Sequence, residues 1–167
     1  GEYGDYHTPE GVIPEAAGTR TSGMDMPWKV IYPGGQNMSF RWLDEYKPAA
    51  WIIASLVDIT AKGGNFQVGY GPLPDGTWAP AVVRRLEEVG RWLTGHGEGI
   101  YGTRGYTVFR EGPHVRFTRS RDGRFVYAFL LNGFAPPFAS GRLRLASVRA
   151  KPGSALRMLG VDHDFRY

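Results

Sequence analysis

The chain of 167 residues has no cysteine, which removes disulfide frameworks, thiolate zinc sites and cysteine nucleophiles at once. That absence does not set the compartment, since a thiol-free protein suits either redox environment. Long apolar runs are missing too. The longest, from Ala49 to Val57 and broken by Ser55, is far too short to span a bilayer, so no membrane partner is expected. No signal-peptide pattern is present, the chain opens Gly-Glu-Tyr, and the first methionine is Met24, which leads us to expect a portion of chain upstream of Gly1. Histidines are scarce and scattered singly at His7, His96, His114 and His163, without a metal-ligand spacing, so no metal and no cofactor is expected. A phosphate loop with lysine and a nucleophile-elbow serine are also lacking.

What remains is the composition of a globular chain, with 42% hydrophobic, 22% charged and 14% aromatic residues. Charge is divided unevenly. Residues 1–102 hold 8 basic and 12 acidic residues, a balance of −4, whereas 103–167 hold 12 and 4, a balance of +8. Most of the later basic residues are arginines alternating with apolar residues, as in Arg142-Leu143-Arg144-Leu145. Such alternation reads as the wet face of a sheet. A polyanion surface is the alternative, but no lysine cluster or nucleic-acid-binding motif supports it, and no nucleic-acid partner is expected.

The organisation changes along the chain. Residues up to Arg41 are rich in glycine, proline and aromatics with no sustained period, and read as long loops around one or two short strands. Pro48 suits the first turn of a helix, and Trp51, Ile52, Leu56 and Ile59 follow at helical spacing up to Gly63-Gly64. Asn65 to Tyr70 reads as a short buried strand. A second helix is predicted from about Pro80 to Gly95 or Gly97, with Val82, Leu86, Val89 and Leu93 on one face. Helix, strand, helix is the rhythm of a parallel α/β architecture, and one such unit cannot close a sheet alone. From Tyr106 the period becomes two, with candidate strands at Tyr106–Arg110, His114–Arg119, Arg124–Leu131, Arg142–Arg149 and Ala155–Leu159. Gly112-Pro113 and Asp122-Gly123 are hairpin-type turns between the first three. The predicted class is therefore α/β plus all-β, with an antiparallel module, most simply a sandwich, joined near Tyr101 to Gly105.

Glu2, Asp5, Glu10 and Glu15 lie in the irregular N-terminal stretch among Tyr3, Tyr6, His7 and Trp28. Loop carboxylates among aromatic rings suit a sugar site, because rings pack on the apolar face of a pyranose and a carboxyl group can serve as general acid. Solvated loop acids are the plainer reading of the same residues.

The stretch from Leu56 to Arg104 strongly resembles the α-L-fucosidases of glycoside hydrolase family 29. The matching features run in order: Val57-Asp58, Lys62-Gly63-Gly64-Asn65, Gly71-Pro72, Asp75-Gly76, Arg85-Leu86, Gly90, Trp92-Leu93, Gly97-Glu98 and Ile100-Tyr101-Gly102-Thr103. Upstream, Gly4 to Glu10 resembles the family's loop ending in Thr-Pro-Glu. The resemblance implies the C-terminal part of a (β/α)-barrel over 1–102, followed by an antiparallel β-sandwich over 103–167 that stops short. It also implies retaining hydrolysis of terminal α-L-fucose from a fucosylated glycan, without a cofactor. Glu10 would be the acid/base, with Glu2 in reserve, and Phe40, Trp42 and, more weakly, Trp28 would bind substrate. The nucleophilic aspartate belongs to a mid-barrel strand that has no counterpart in this sequence. The family's usual asparagine four residues after Asn65 is Gly69 here. A non-catalytic carbohydrate-binding or assembly module, and a homo-oligomer with pooled sites, stay open as alternatives.

Overall fold

The computed structural model describes residues 5–15, 27–131 and 143–161, together with the backbone of 164–165. The chain folds as two compact units, Gly1–Arg91 and Trp92–Tyr167. The first contains strand β1 (Lys29–Pro33), helix α1 (Ala49–Ala61) and strand β2 (Asn65–Gly69), followed by helix α2 (Pro80–His96), within which the boundary falls.

Helix α1 forms where the apolar spacing predicts it. Pro48, with φ −67° and ψ 153°, stands just before the first turn, where its missing N–H costs nothing. Asp58 is the only charged residue of the thirteen, and a helix that is apolar on every side belongs in an interior. Its end is a Schellman turn: Gly64 N–H donates to Ile59 O and Gly63 N–H to Thr60 O, both at 2.9 Å. Gly63 takes φ +84°, a left-handed conformation that suits glycine. The turn delivers the chain directly into β2, which pairs in parallel with β1 from Lys29↔Asn65 to Pro33↔Gly69. Strand β1 is the regular element hidden in the stretch that sequence reads as mostly loop.

A third parallel segment lies on the other side of β1. Its backbone exchanges four bonds with that strand and the residues just before it: His7 N–H to Pro27 O, Lys29 N–H to His7 O, Ile31 N–H to Pro9 O and Gly11 N–H to Ile31 O, all 2.9–3.0 Å. His7 thus stands opposite Trp28, and Glu10 opposite Ile31. Trp28, Val30 and Ile59 form the buried centre, with Ile13, Tyr32 and Phe66 against it. Helix α1 therefore covers the Trp28–Val30–Tyr32 face of the sheet. On α2 the buried positions are Val82 and Val89, while Leu86, expected on the same stripe, is 43% exposed.

In the second unit β3 (Thr103–Glu111), β4 (Val115–Ser120) and β5 (Val126–Leu130) form an antiparallel sheet in that order. The Asp122-Gly123 turn is as expected: Gly123 has φ +73°, and one Asp122 carboxylate oxygen accepts from Ser120 Oγ at 2.6 Å and Arg124 N–H at 3.0 Å. Val115 and Phe117 are the core, flanked by Tyr106, Leu130, Leu145 and Val148.

The expected strand Arg142–Arg149 is not formed over its described part, 143–149. The physical reason is that its backbone donors are taken by a side chain. Glu111 accepts the N–H groups of Ala146 and Ser147 at 2.8 Å each, and Leu145 and Val148 pack on the Phe117 cluster. The Ala155–Leu159 expectation shrinks to β6 (Leu156–Arg157), paired antiparallel with β7 (Asp164–Phe165). The Arg142 end lies outside the described residues.

Two predictions follow from these contacts. Gly63→Ala meets no neighbouring atom but must hold a left-handed φ, which costs about 1 kcal/mol. Gly64→Ala would bring its Cβ to 2.5 Å from the Trp28 ring, an overpacking worth about 1–3 kcal/mol. Urea titration should therefore rank Gly64→Ala as the more destabilised variant. The second concerns pH. Partial burial and the hydrogen bond to Glu98 push the Tyr127 phenol up to about 12. Its unfolded value lies lower, about 10. The fold holds that proton more tightly, so this stabilisation is complete below about pH 10 and is lost as pH rises toward 12. Melting temperatures at pH 9 and 11 should fall less in Tyr127→Phe than in the parent.

Candidate functional site

The three parallel segments end on the same side: Glu10, Pro33 and Gly69 close them in turn. Residues opposite one another in adjacent strands share a face of the sheet. Glu10, Ile31 and Gln67 therefore stand in one row, on the face away from α1, and Glu10 is exposed. Both peptide groups flanking Glu10 are bonded to Ile31, which fixes the backbone from which the carboxylate projects.

The loop between β1 and α1 is closed at its base, where Gly34 N–H donates to Gly69 O and Lys47 N–H to Gly34 O, each at 2.7 Å. Inside it, Asp44 accepts from Gln36 N–H at 2.8 Å, Asn37 from Ser39 N–H at 2.8 Å, and Arg41 bonds Gln36. Arg85 on α2 locks the C-terminal base by donating to Lys47 O at 3.0 Å. This loop carries Phe40 and Trp42, which meet edge to face with ring centroids 5.1 Å apart. Trp42 is 79% exposed and Leu43 92%.

Glycine decides how closely that loop can approach. A Cβ on Gly71 would lie 2.1 Å from the Phe40 backbone nitrogen, and one on Gly34 would enter the Tyr70 ring. A Cβ on Gly69, the position where an asparagine is usual in the family it resembles, would meet Met38 Sδ at 2.4 Å. The loop backbone thus rests on the end of β2, with Phe40 above Gly71.

Beneath the loop, Tyr46 and Tyr70 meet edge to face at 5.9 Å, and the Arg85 guanidinium lies 6.0 Å from the Tyr46 ring centre. Burial raises the Tyr70 phenol above its usual range, Arg85 offsets part of that, and Tyr46 adds to it. The Tyr70 hydroxyl is buried without a hydrogen-bond partner among the described residues. Sequence pattern could not single out this Tyr46–Tyr70–Arg85 group, because its members are far apart in the chain and carry no shared spacing.

The predicted site residues are therefore placed as follows. Glu10 and the Phe40–Trp42 pair lie on segments that open at the same end of the parallel strands. Glu2 lies outside the described residues. Trp28 is 3% exposed, with its ring among Val30, Ile59 and Gly64, so its contacts are those of a core residue and not of an open stacking platform. Among the described residues no three His, Asp or Glu side chains gather as a metal group would, and no helix is long and apolar enough to cross a membrane.

The sequence motifs Lys62-Gly63-Gly64-Asn65 and Asp58 acquire structural roles. Lys62, 8% exposed, pairs with Asp58 one turn back and donates to Pro14 O at 2.6 Å. Asn65 N–H donates to Trp28 O at 3.0 Å, tying the start of β2 to β1.

Comparison with known proteins agrees with the residue pattern. The family described as alpha-L-fucosidase matches residues 1–98. Bovine (Bos taurus) tissue alpha-L-fucosidase is 36% identical over 116 residues, which is 70% of this chain and 24% of that protein. Alpha-L-fucosidase isoenzyme 1 from Paenibacillus thiaminolyticus superposes with a TM-score of 0.64 at 24% identity, over 70% of this chain and 28% of that one. A further solved alpha-L-fucosidase gives 0.67 at 25% identity over 77% and 29%. The chain spans about a quarter of the length of the curated relatives it matches.

The contrast between the two tryptophans is measurable. Trp28→Ala should cost about 3–5 kcal/mol of stability, as for a large core side chain. Trp42→Ala should stay within about 0.5 kcal/mol of the parent, as for an exposed residue. Urea denaturation followed by circular dichroism distinguishes them.

Proposed function

The chain belongs to the alpha-L-fucosidase family, and from that premise we propose that it supplies the acid/base side of a retaining α-L-fucosidase acting on terminal fucose of glycans. The observation that carries this reading is the position of Glu10, exposed at the end of a parallel segment whose backbone is held on both flanks by Ile31. We read residues 1–102 as the last part of a (β/α)-barrel and 103–167 as the sandwich that follows it. Active sites of such barrels lie at the C-terminal ends of the strands, the end at which Glu10 and the Phe40 loop open.

The chemistry then divides between two carboxyl groups. In retaining glycosidases they stand about 5–5.5 Å apart. An aspartate attacks the anomeric carbon while Glu10 gives its proton to the departing glycosidic oxygen. A covalent fucosyl-enzyme results, with inversion at carbon one. Glu10, now a carboxylate, takes a proton from water as that water displaces the aspartate, and the second inversion restores the original configuration. The aspartate comes from a strand outside these 167 residues. Phe40 and Trp42 are the binding aromatics in this reading, suited to the apolar flank and methyl group of fucose, with Glu2 the second candidate for the acid.

The 167-residue chain alone should give no hydrolysis of an aryl α-L-fucoside above the blank, because no glycosyl-enzyme forms without the nucleophile. In the full-length protein Glu10→Gln should lower kcat by about 10²- to 10⁴-fold. Rapid turnover by the isolated chain, abolished by Glu10→Gln, overturns the division of labour. Full activity of Glu10→Gln in the whole protein overturns the assignment of the acid. Fucose binding without hydrolysis by the whole protein points instead to a non-catalytic carbohydrate-binding module.

A further inference from the structure

We infer that Lys62 is a positioning residue for Glu10, acting through the carbonyl of Pro14. The inference rests on the acid/base reading of Glu10 given above. A lysine ammonium is rarely taken out of water, and when it is, it must be paired and hydrogen-bonded. Lys62 is 8% exposed, and its ammonium donates to the Asp58 carboxylate and, at 2.6 Å, to Pro14 O, 48 residues away in sequence.

Helix α1 does not need that long-range bond. The carbonyls of Asp58, Ile59 and Thr60 in its last turn already accept from the N–H groups of Lys62, Gly64 and Gly63. What the side chain adds concerns the segment carrying Glu10. That segment is held before and at Glu10 by the ladder to Ile31, which ends with the Gly11 N–H. Gly11 then turns with φ +67°, and Val12 is 62% exposed. Ile13 reaches the core and Pro14 O meets the buried ammonium. Glu10 therefore sits at the last rung of a backbone ladder that ends at Gly11, and the turn that leaves it is held by a charge-assisted bond at Pro14, four residues downstream. Asp58 keeps the ammonium aimed at Pro14 O. Buried ion pairs contribute little net stability against apolar substitutes, and fixing register is their best-attested use.

The test uses the full-length protein and two leaving groups. From fucosyl fluoride the leaving group is fluoride ion, which departs from the anomeric carbon without protonation, whereas an alkyl or sugar aglycone needs the acid. Lys62→Met should lower kcat/KM, which reports formation of the fucosyl-enzyme and not its hydrolysis, by about 10- to 100-fold on the poor leaving group and by less than about threefold on the fluoride. Lys62→Arg, which keeps a cationic donor, should recover most of the loss. The double variant Lys62→Met/Asp58→Leu removes both charges, so neither is buried alone, and should melt near the parent while keeping the same leaving-group dependence. An equal loss on both substrates, no loss on either, or failure of the double variant to fold overturns the inference. Glu10→Gln, run in parallel, separates the two readings. If it lacks leaving-group dependence, the acid assignment falls and this inference with it. If it shows that dependence and Lys62→Met does not, only the positioning role falls.

Discussion

The pair of backbone bonds between Ile31 and the peptides on either side of Glu10 is the constraint on which the first unit depends. Those bonds make a third parallel segment out of a stretch whose composition reads as loop. They also set which face of the sheet Glu10 joins. A shift of one residue would turn Glu10 toward α1 and the Trp28–Val30–Ile59 core, where a carboxylate has no partner. Register and burial thus agree: the apolar side chains take the helix face, and the acid is left on the other.

Much of the fold was legible in the residues themselves. Helix α1, its glycine stop and β2 follow from apolar period and turn chemistry, because local forces decide them. The Asp122-Gly123 hairpin is legible for the same reason. The sequence stretch 143–149 is not. Its alternation of arginine and leucine fits a strand, but Glu111, 35 residues upstream of Ala146, takes the N–H groups that a ladder would have used. A tertiary contact of that length leaves no periodic trace. Strand β1 was legible only as one of the one or two short strands expected among loops, without bounds, being five residues between aromatic and glycine-rich segments.

The candidate site was legible in part and for a different reason. Glu10, Phe40 and Trp42 stood out through family resemblance, and their geometry depends on residues that pattern alone treats as background. Trp28 illustrates the limit. An aromatic beside loop carboxylates suits sugar stacking equally well whether it faces solvent or the core, and only the sheet register decides that it packs on Ile59 and Gly64. Lys62, conspicuous as part of a motif, carries no chemistry of its own in the sequence; its meaning comes from Pro14, 48 positions away.

The contact of Gly71 with the Phe40 backbone has a consequence for how such a site can be reshaped. Because main chain meets main chain there, no side chain can be added at 71 without re-routing the loop. Phe40 is therefore held in a fixed depth relative to the end of β2. Trp42 and Leu43, by contrast, project from the crest with most of their surface in water. Variation in this loop therefore has freedom at the crest and almost none at the floor, so its surface chemistry and its placement rest on different residues.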